Sequence, residues 1–346
     1  MIRYLAYRVG LLIPLLLGAA LLIFLAGHYA PGDPVQVLLA DHYNPEVAAH
    51  KRHELGLDRP LVVQFTAYVV RAAALDFGIS YVNPARRVGD VVRQTLPISL
   101  RLAALAVAVA AVVGVGLGVW AAVVRRSIVD RLIQVGVIAG LSVPNFVVAA
   151  VLVLWFALRW HLLPVAGWGA PANYVLPVAV LAAAPIAYIT RISRASVQQV
   201  LTEDYVRTAR SKGLPGRAIL ARHVLRNAAL PIVTTIGMAF GYAITGAFVV
   251  EVIFNIPGMA RVAIDAILQR DYTVIQTAVL VYTALFTLIN LAVDVSYESS
   301  LDGSHAGRIS EAGCRAAGKC EGAEPVTIDG LSLQVGVALA TAAGSS

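Results

Sequence analysis

Six stretches of this sequence stay apolar for long enough to cross a lipid bilayer: residues 9–29, 102–124, 132–158, 174–190, 230–254 and 273–293. A spanning helix needs about 20 such residues. Inside hydrocarbon no water is present to satisfy backbone groups, so runs of this length must fold as helices that satisfy themselves. Composition agrees: 59% of the 346 residues are hydrophobic, 14% are charged, and the mean hydropathy is +0.76. Soluble domains rarely have that mixture. The expected fold is an all-α polytopic membrane protein with six transmembrane helices. The fourth run is the shortest and contains Pro177 and Pro185, which predicts kinks and poorly marked ends. The first run is long for the apolar part of a signal peptide, and no small-residue cleavage site precedes "APGDP", so it reads as a retained helix.

Charge in the short loops sets orientation. Arg3 and Arg8 precede the first run, and Arg125, Arg126 and Arg131 lie between the second and third. The loop 191–229 carries Arg191, Arg194, Arg207, Arg210, Lys212, Arg217, Arg222 and Arg226 against only Glu203 and Asp204. The alternate loops are nearly balanced. The positive-inside rule then places both termini and this loop in the cytoplasm. The formal charge of +7 is accounted for by this bias, and no basic soluble domain exists to hold nucleic acid. Four regions follow: 1–29, the N-terminus and first helix; 30–101, an external cap of short amphipathic pieces and turns; 102–297, the core with its loop 191–229; and 298–346, a small-residue tail holding Cys314 and Cys320. A structural disulfide is not expected there on the cytoplasmic side.

The familiar catalytic patterns fail one by one. His53-Glu54 lacks the second histidine of a zinc-protease helix. "GLSVP" (140–144) has Pro144 where a serine-nucleophile elbow needs glycine. "GCRAAGKC" (313–320) has Cys320 where a phosphate loop needs Ser or Thr. The chain is therefore expected to be non-catalytic and to hydrolyse no ATP. His50 and His53 share one face of a polar helix, but Lys51 and Arg52 beside them repel a cation, so no metal site is expected. Gly114 and Gly118 have the small-xxx-small spacing that lets helices pack closely. Almost no ionisable group lies at membrane depth. Glu251 and Asp294 stand near span ends, which opposes an ion-coupled secondary carrier. A passage would instead be lined by neutral groups: Ser142, Pro144, Asn145, Thr234, Thr235, Tyr242, Thr245 and Asn290. For each of the polar ones the plainer reading is a hydrogen bond between helices.

The loop "EDYVRTARSKGLPGRAILARHVLRNAALP" (203–231) carries the clearest punctuation. Thr202 is placed to cap a helix, Glu203 and Asp204 suit its first turn, and Lys212 suits its end. Gly213 supplies the left-handed turn, and Pro215 stops continuation. A charged helix of this size either lies on lipid headgroups or docks on a soluble partner.

At this point a resemblance emerges. "RYLAYRVGLLIPLLLGAALLIFL", "PGDPV", "LGLDRPL", "DFGIS", "LPISLRLA", "GLSVPNF" and "VVEVIFNIPGMARVAIDAILQRDYTVIQ" occur in the order and spacing of one family. The chain resembles the permease subunits of ATP-binding-cassette importers in the dipeptide/oligopeptide/nickel branch, over nearly all of 1–297. Ala260 replaces a usual glycine, and Arg207 replaces the glutamate of the general loop motif. The resemblance implies that Glu203, Asp204, Tyr205, Arg207, Thr208, Ala209, Lys212 and Gly213 form a coupling helix against a cytoplasmic ATPase. Arg194, outside it, is expected to matter much less. It also implies alternating access in a bacterial inner membrane, with a paralogous second permease and two ATP-binding subunits that hold ATP and magnesium. An external substrate-binding protein would dock near Asp58 and Asn83 of the cap. The expected cargo is a di- or oligopeptide. A glutathione-like molecule or a nickel chelate is the alternative within the family, and a secondary carrier or a non-transporting scaffold lies outside it.

Overall fold

A computed structural model describes residues 2–29, 34–39, 44–54 and 56–303. His42, both cysteines and the tail beyond Gly303 lie outside these. Residues Met1–Ser299 make up one compact unit. Helix α1 (Ile2–Tyr29) is followed by three short helices, α2 (Pro34–Leu39), α3 (Pro45–Glu54) and α4 (Leu61–Ala73). Then come α5 (Val88–Val123), α6 (Ile128–Ser142) and α7 (Asn145–Leu152), which continues as a π-helical stretch, Val153–Arg159. Helix α8 (Ala172–Leu201) leads to α9 (Asp204–Ser211). Helix α10 (Gly216–Ile219) runs through a π-helical turn, Leu220–Val224, into α11 (Leu225–Ile253), and α12 (Met259–Gln269) and α13 (Tyr272–Gly303) follow. Among the described residues the sole strand-like contact is the bridge between Ile79 and Arg87.

Packing register counts the crossings. Gly114 lies against Ile189 and Gly118 against Ser193, so α5 and α8 run parallel. The chain between two parallel spans must cross back. Helix α6 does so: Asp130 pairs with Arg194 and Gly140 faces Ala187, which is an antiparallel register. Five helices are individually long and apolar enough to cross a membrane, and the bent pair α6–α7 makes the sixth crossing.

That third crossing breaks where a proline within a span is expected to open the helix, and its two halves meet at 107°. Pro144 has no N–H to donate, and its ring pushes the preceding residue out of the helical region. Val143 (φ −90, ψ 121) and Pro144 (φ −61, ψ 144) are accordingly two extended residues in succession.

Five spans outrun their apolar runs. Helix α1 begins at Ile2, α5 begins at Val88, α8 continues to Leu201, helical backbone leads into α11 from Gly216, and α13 continues to Gly303. Backbone hydrogen bonding ends at a cap, whereas hydropathy ends at the headgroups, so the two boundaries need not coincide. At 1.5 Å per residue, the 36 residues of α5 make a rod of about 54 Å, against roughly 30 Å of hydrocarbon. The segment 30–101 is therefore, from Val88 onward, an extension of the second span.

Helix α8 lies at the centre. Of its most apolar window 56% is buried, compared with 11% for α1 and 17% for α13. Leu102, Ala106, Val180, Leu181, Ile189 and Ile244 form the main core around it. The start of α1 and the far part of α13 meet where Arg8 pairs with Asp294 at 3.0 Å.

Helices α5 and α8 touch through backbone. A Cβ on Gly118 would lie 2.6 Å from Ser193 Cβ and 2.7 Å from the Thr190 carbonyl, whereas one on Gly116 would meet nothing within 4 Å. Gly118→Val should therefore destabilise the bundle by about 1–3 kcal/mol through overpacking, and Gly116→Ala should not. Thermal unfolding of the detergent-purified variants measures the difference.

Candidate functional site

The arginine-rich end of the bundle is built around α9. Its apolar residues Val206 and Ala209, three apart, are buried and pack with Ala122, Val197, Ile219, Val224 and Ala228 from α5, α8, α10 and α11 and the π-helical turn between the last two. That spacing gives one inward stripe. Ala209, expected among the residues offered to a partner, instead faces the bundle. Asp204, Arg207, Thr208 and Lys212 are on the exposed side, with Arg207 and Asp204 paired at 3.3 Å. Tyr205 is partly committed, because its hydroxyl accepts a hydrogen bond from Asn227 Nδ2 at 2.7 Å.

The caps differ from expectation at one end. Thr202 does not start α9: its hydroxyl donates to the Gln199 carbonyl at 2.6 Å and closes α8. Glu203 occupies the N-cap position, without a side-chain cap bond. Several neighbouring residues have capping chemistry, and the break fell one position later. At the other end Gly213 has φ +75. Its N–H donates to the Arg210 carbonyl (2.9 Å), and the Leu214 N–H donates to Ala209 (3.4 Å). This paired pattern is the Schellman turn that a left-handed glycine permits. Pro215 stops α9 and also caps α10.

Four of the candidate passage hydroxyls donate within their own helices and not between helices. The hydroxyls of Ser142, Thr234, Thr235 and Thr245 donate to the carbonyls four residues back, those of Ile138, Leu230, Pro231 and Gly241. Back-bonding of this kind satisfies a hydroxyl within its own helix. Ser142 and Pro144 are exposed at the bend, and Tyr242 is half exposed. Asn145 is half-buried, with Nδ2 3.4 Å from where a Cβ on Gly246 would sit. Gly237 lies against Val293 and Gly241 against Phe286, so Thr234 and Asn290 share the faces along which α11 and α13 meet.

Three buried carboxylates stand out, and sequence reading gave none of them a structural role. Asp130 is 4% exposed and receives both Arg194 Nε (2.7 Å) and Nη2 (2.8 Å). Arg194, itself partly buried, thus has a structural partner on another helix. Glu251 is fully buried, and its Oε2 accepts the Arg261 N–H at 3.0 Å, at the start of α12. Gly258 leaves room for it, because a Cβ there would overlap the Glu251 carboxylate as placed. Asp271, also buried, accepts the Ser80 hydroxyl and the Tyr81 N–H (3.2 Å), which pins the loop after α4 to the start of α13.

On the far side, Asp58 and Asn83 are both exposed. His53 lies 2.7 Å from Asp58 and holds its carboxyl below the usual carboxylate range by hydrogen bonding. His50 instead faces Glu54. No group of three possible metal ligands occurs among the described residues. A cavity of about 430 Å³ lies beneath this region, lined among others by His28, Arg59, Tyr68 and Tyr272. Burial pushes the Tyr68 phenol up to about 12.

Six crossings around a central helix that ends in a capped, charged appendage define a membrane-embedded transport component. The chain belongs to the family described as binding-protein-dependent transport system inner membrane component, whose profile matches residues 114–300. The N-terminal domain of such membrane components matches residues 1–103. The glutathione transport system permease proteins GsiC of Escherichia coli K12 and Salmonella typhimurium LT2 are each 39% identical to it over 297 residues, which is 86% of this chain and 97% of theirs. Its fold is similar to a chain of the inward-facing MetNI methionine ABC transporter, with a TM-score of 0.53 and 16% identity over 60% of this chain and 95% of that one. The protein is thus a permease subunit of an ABC importer and a multi-pass inner-membrane protein. Its family works with ATPase subunits, a substrate-binding protein and a second permease.

The Asp271 anchor predicts a specific weakness. Asp271→Ala leaves the Ser80 hydroxyl and the Tyr81 N–H without their acceptor, at a cost of about 1–3 kcal/mol. Local opening of 76–87 should rise accordingly. Trypsin cleavage after Arg86 or Arg87 in detergent-solubilised protein is expected to accelerate about tenfold, since a 1.4 kcal/mol change is a tenfold change in the opening equilibrium.

Proposed function

We propose that this chain forms half of the passage of an importer for small peptides, and that α9 is where a cytoplasmic ATPase takes hold of it. The observation that carries this reading is the division of α9: Val206 and Ala209 fasten it to the bundle while its charged face stays free. A helix lying on lipid would turn its apolar stripe outward. Here the stripe is already used, and the free face carries the donors and acceptors that a soluble partner can match. ATP and magnesium belong to that partner, and this chain is non-catalytic. Both termini and α9 face the cytoplasm, as the arginines of 191–229 favour.

The exposed residues Asp58 and Asn83 face the binding protein, which delivers cargo from outside. Ser142, Pro144 and Asn145 at the bend line the passage. The likeness to permeases of glutathione systems makes glutathione, a tripeptide, the first cargo to test, ahead of other di- and oligopeptides and of nickel chelates. The two conformations of the passage differ in affinity for the ATP-bound partner, and that difference is what allows hydrolysis to drive transport.

Gly213→Arg tests the role of α9. A Cβ in the left-handed region costs about 1–2 kcal/mol, and the added side chain obstructs approach to the free face. Membrane abundance should be unchanged, while uptake of labelled glutathione or alanyl peptides is lost. ATPase activity of the assembled complex should no longer respond to loaded binding protein. Wild-type uptake and stimulation at equal abundance would refute the role. Independently, photo-cross-linkers at Asp58 or Asn83 should capture the binding protein during transport, and failure at both positions would assign the cap elsewhere.

A further inference from the structure

We propose that the Asp130–Arg194 pair is the link through which displacement of α9 reaches the bend between α6 and α7, which makes both residues positioning residues of the transport cycle. The inference rests on the reading of α9 as the ATPase contact. Only Thr202 and Glu203 separate α8 from α9, and their N–H groups donate back to Gln199 and Val200, each at 3.1 Å. Movement of α9 therefore pulls on the end of α8 directly. Arg194 lies on α8, about 10 Å before Leu201 at 1.5 Å per residue.

The grip on α6 is equally direct. Arg194 holds both carboxylate oxygens of Asp130, at 2.7 and 2.8 Å. A bidentate fork of this kind fixes orientation as well as distance. Asp130 is tied in turn to the start of its own helix: Oδ2 accepts the Arg126 N–H at 3.1 Å, and the Asp130 N–H donates to Ser127 Oγ at 3.1 Å. Force on Arg194 is thus applied to the first turn of α6 and not to a slack loop.

The rest of this seam is close-packed but carries no second ion pair among the described residues. A Cβ on Gly140 would lie 3.1 Å from Ala187 Cβ, so the two backbones approach closely there. Gln134, between the two contacts along α6, has its Nε2 buried without a partner. The charged fork is thus the directional tie across the seam, and α6 follows it. At its far end the two extended residues Val143 and Pro144 separate α6 from α7. Movement of α6 then changes the angle at the bend, beside Ser142 and Asn145.

Distance measurements by electron spin resonance on the complete complex test this without a known cargo. Cys314 and Cys320 are first replaced by Ala. One label pair at Ser211 and Val123 reports α9, and a second at Ser142 and Val112 reports the bend; all four positions are exposed. Trapping with ATP and vanadate should shift both distances. In Arg194→Gln the first shift should persist and the second should be lost. The exchange Asp130→Arg with Arg194→Asp should restore it, which also guards against a single variant that fails to assemble. A bend that responds normally in Arg194→Gln, or an assembled exchange variant that stays unresponsive, overturns the link. Absence of the first shift in the unaltered complex would instead overturn the reading of α9.

Discussion

Two glycines one helical turn apart let α5 approach the backbone of α8, and the other features of the arginine-rich end hang on that contact. In lipid there is no hydrophobic force to drive helices together, so close packing and dispersion must hold the bundle. At Gly114 a Cβ would come within 2.9 Å of Ile189, and at Gly118 within 2.7 Å of a carbonyl. The contact makes α8 the most buried span. Everything attached to α8 inherits its position: α9 at its end, Asp130 through Arg194, and α11 through Leu181, which lies 3.0 Å from a Cβ on Gly246.

The buried carboxylates follow a second rule. Asp130 sits in the first turn of α6, Asp271 immediately before α13, and Glu251 against the first turn of α12. Each lies where a helix presents unpaired N–H groups and the positive end of its dipole. An isolated buried charge is costly, yet Asp271 and Glu251 accept backbone N–H groups at such a terminus without an ion pair of their own among the described contacts. Asp130 adds Arg194, and with that partner it reaches from one helix to another.

Much of this was legible in the sequence, for identifiable reasons. The apolar runs located the spans because hydrocarbon imposes their length. Gly213 and Pro144 were readable because each changes the backbone through its own covalent structure. What escaped depended on which helices become neighbours. Asp130 and Arg194 are 64 positions apart, and only the packing of α6 on α8 brings them together, so each looked like one more charge in a loop. Glu251 appeared to be a polar residue near a span end, because the N–H it accepts belongs to a different helix. The start of α5 at Val88 was missed because hydropathy falls at the headgroups while the helix continues. Thr202 was assigned to the wrong helix because three consecutive residues, Thr202, Glu203 and Asp204, all suit a helix start.

The hydroxyls that turn back on their own helices carry a consequence for throughput. A wall with unsatisfied donors acts as a rival solvent: a peptide's amides would exchange water for it, settle, and leave slowly. Ser142 and Thr245, the two exposed residues among the four candidate passage hydroxyls, have already spent their donors on carbonyls one turn back. Such a surface still accepts hydrogen bonds weakly but makes no demand that a particular group must answer. On the proposal that these groups line the passage, a cargo moving along it would meet shallow wells and have a short residence time. Recognition would then be free to reside in a separate soluble protein, and one membrane passage could serve different cargoes without being rebuilt.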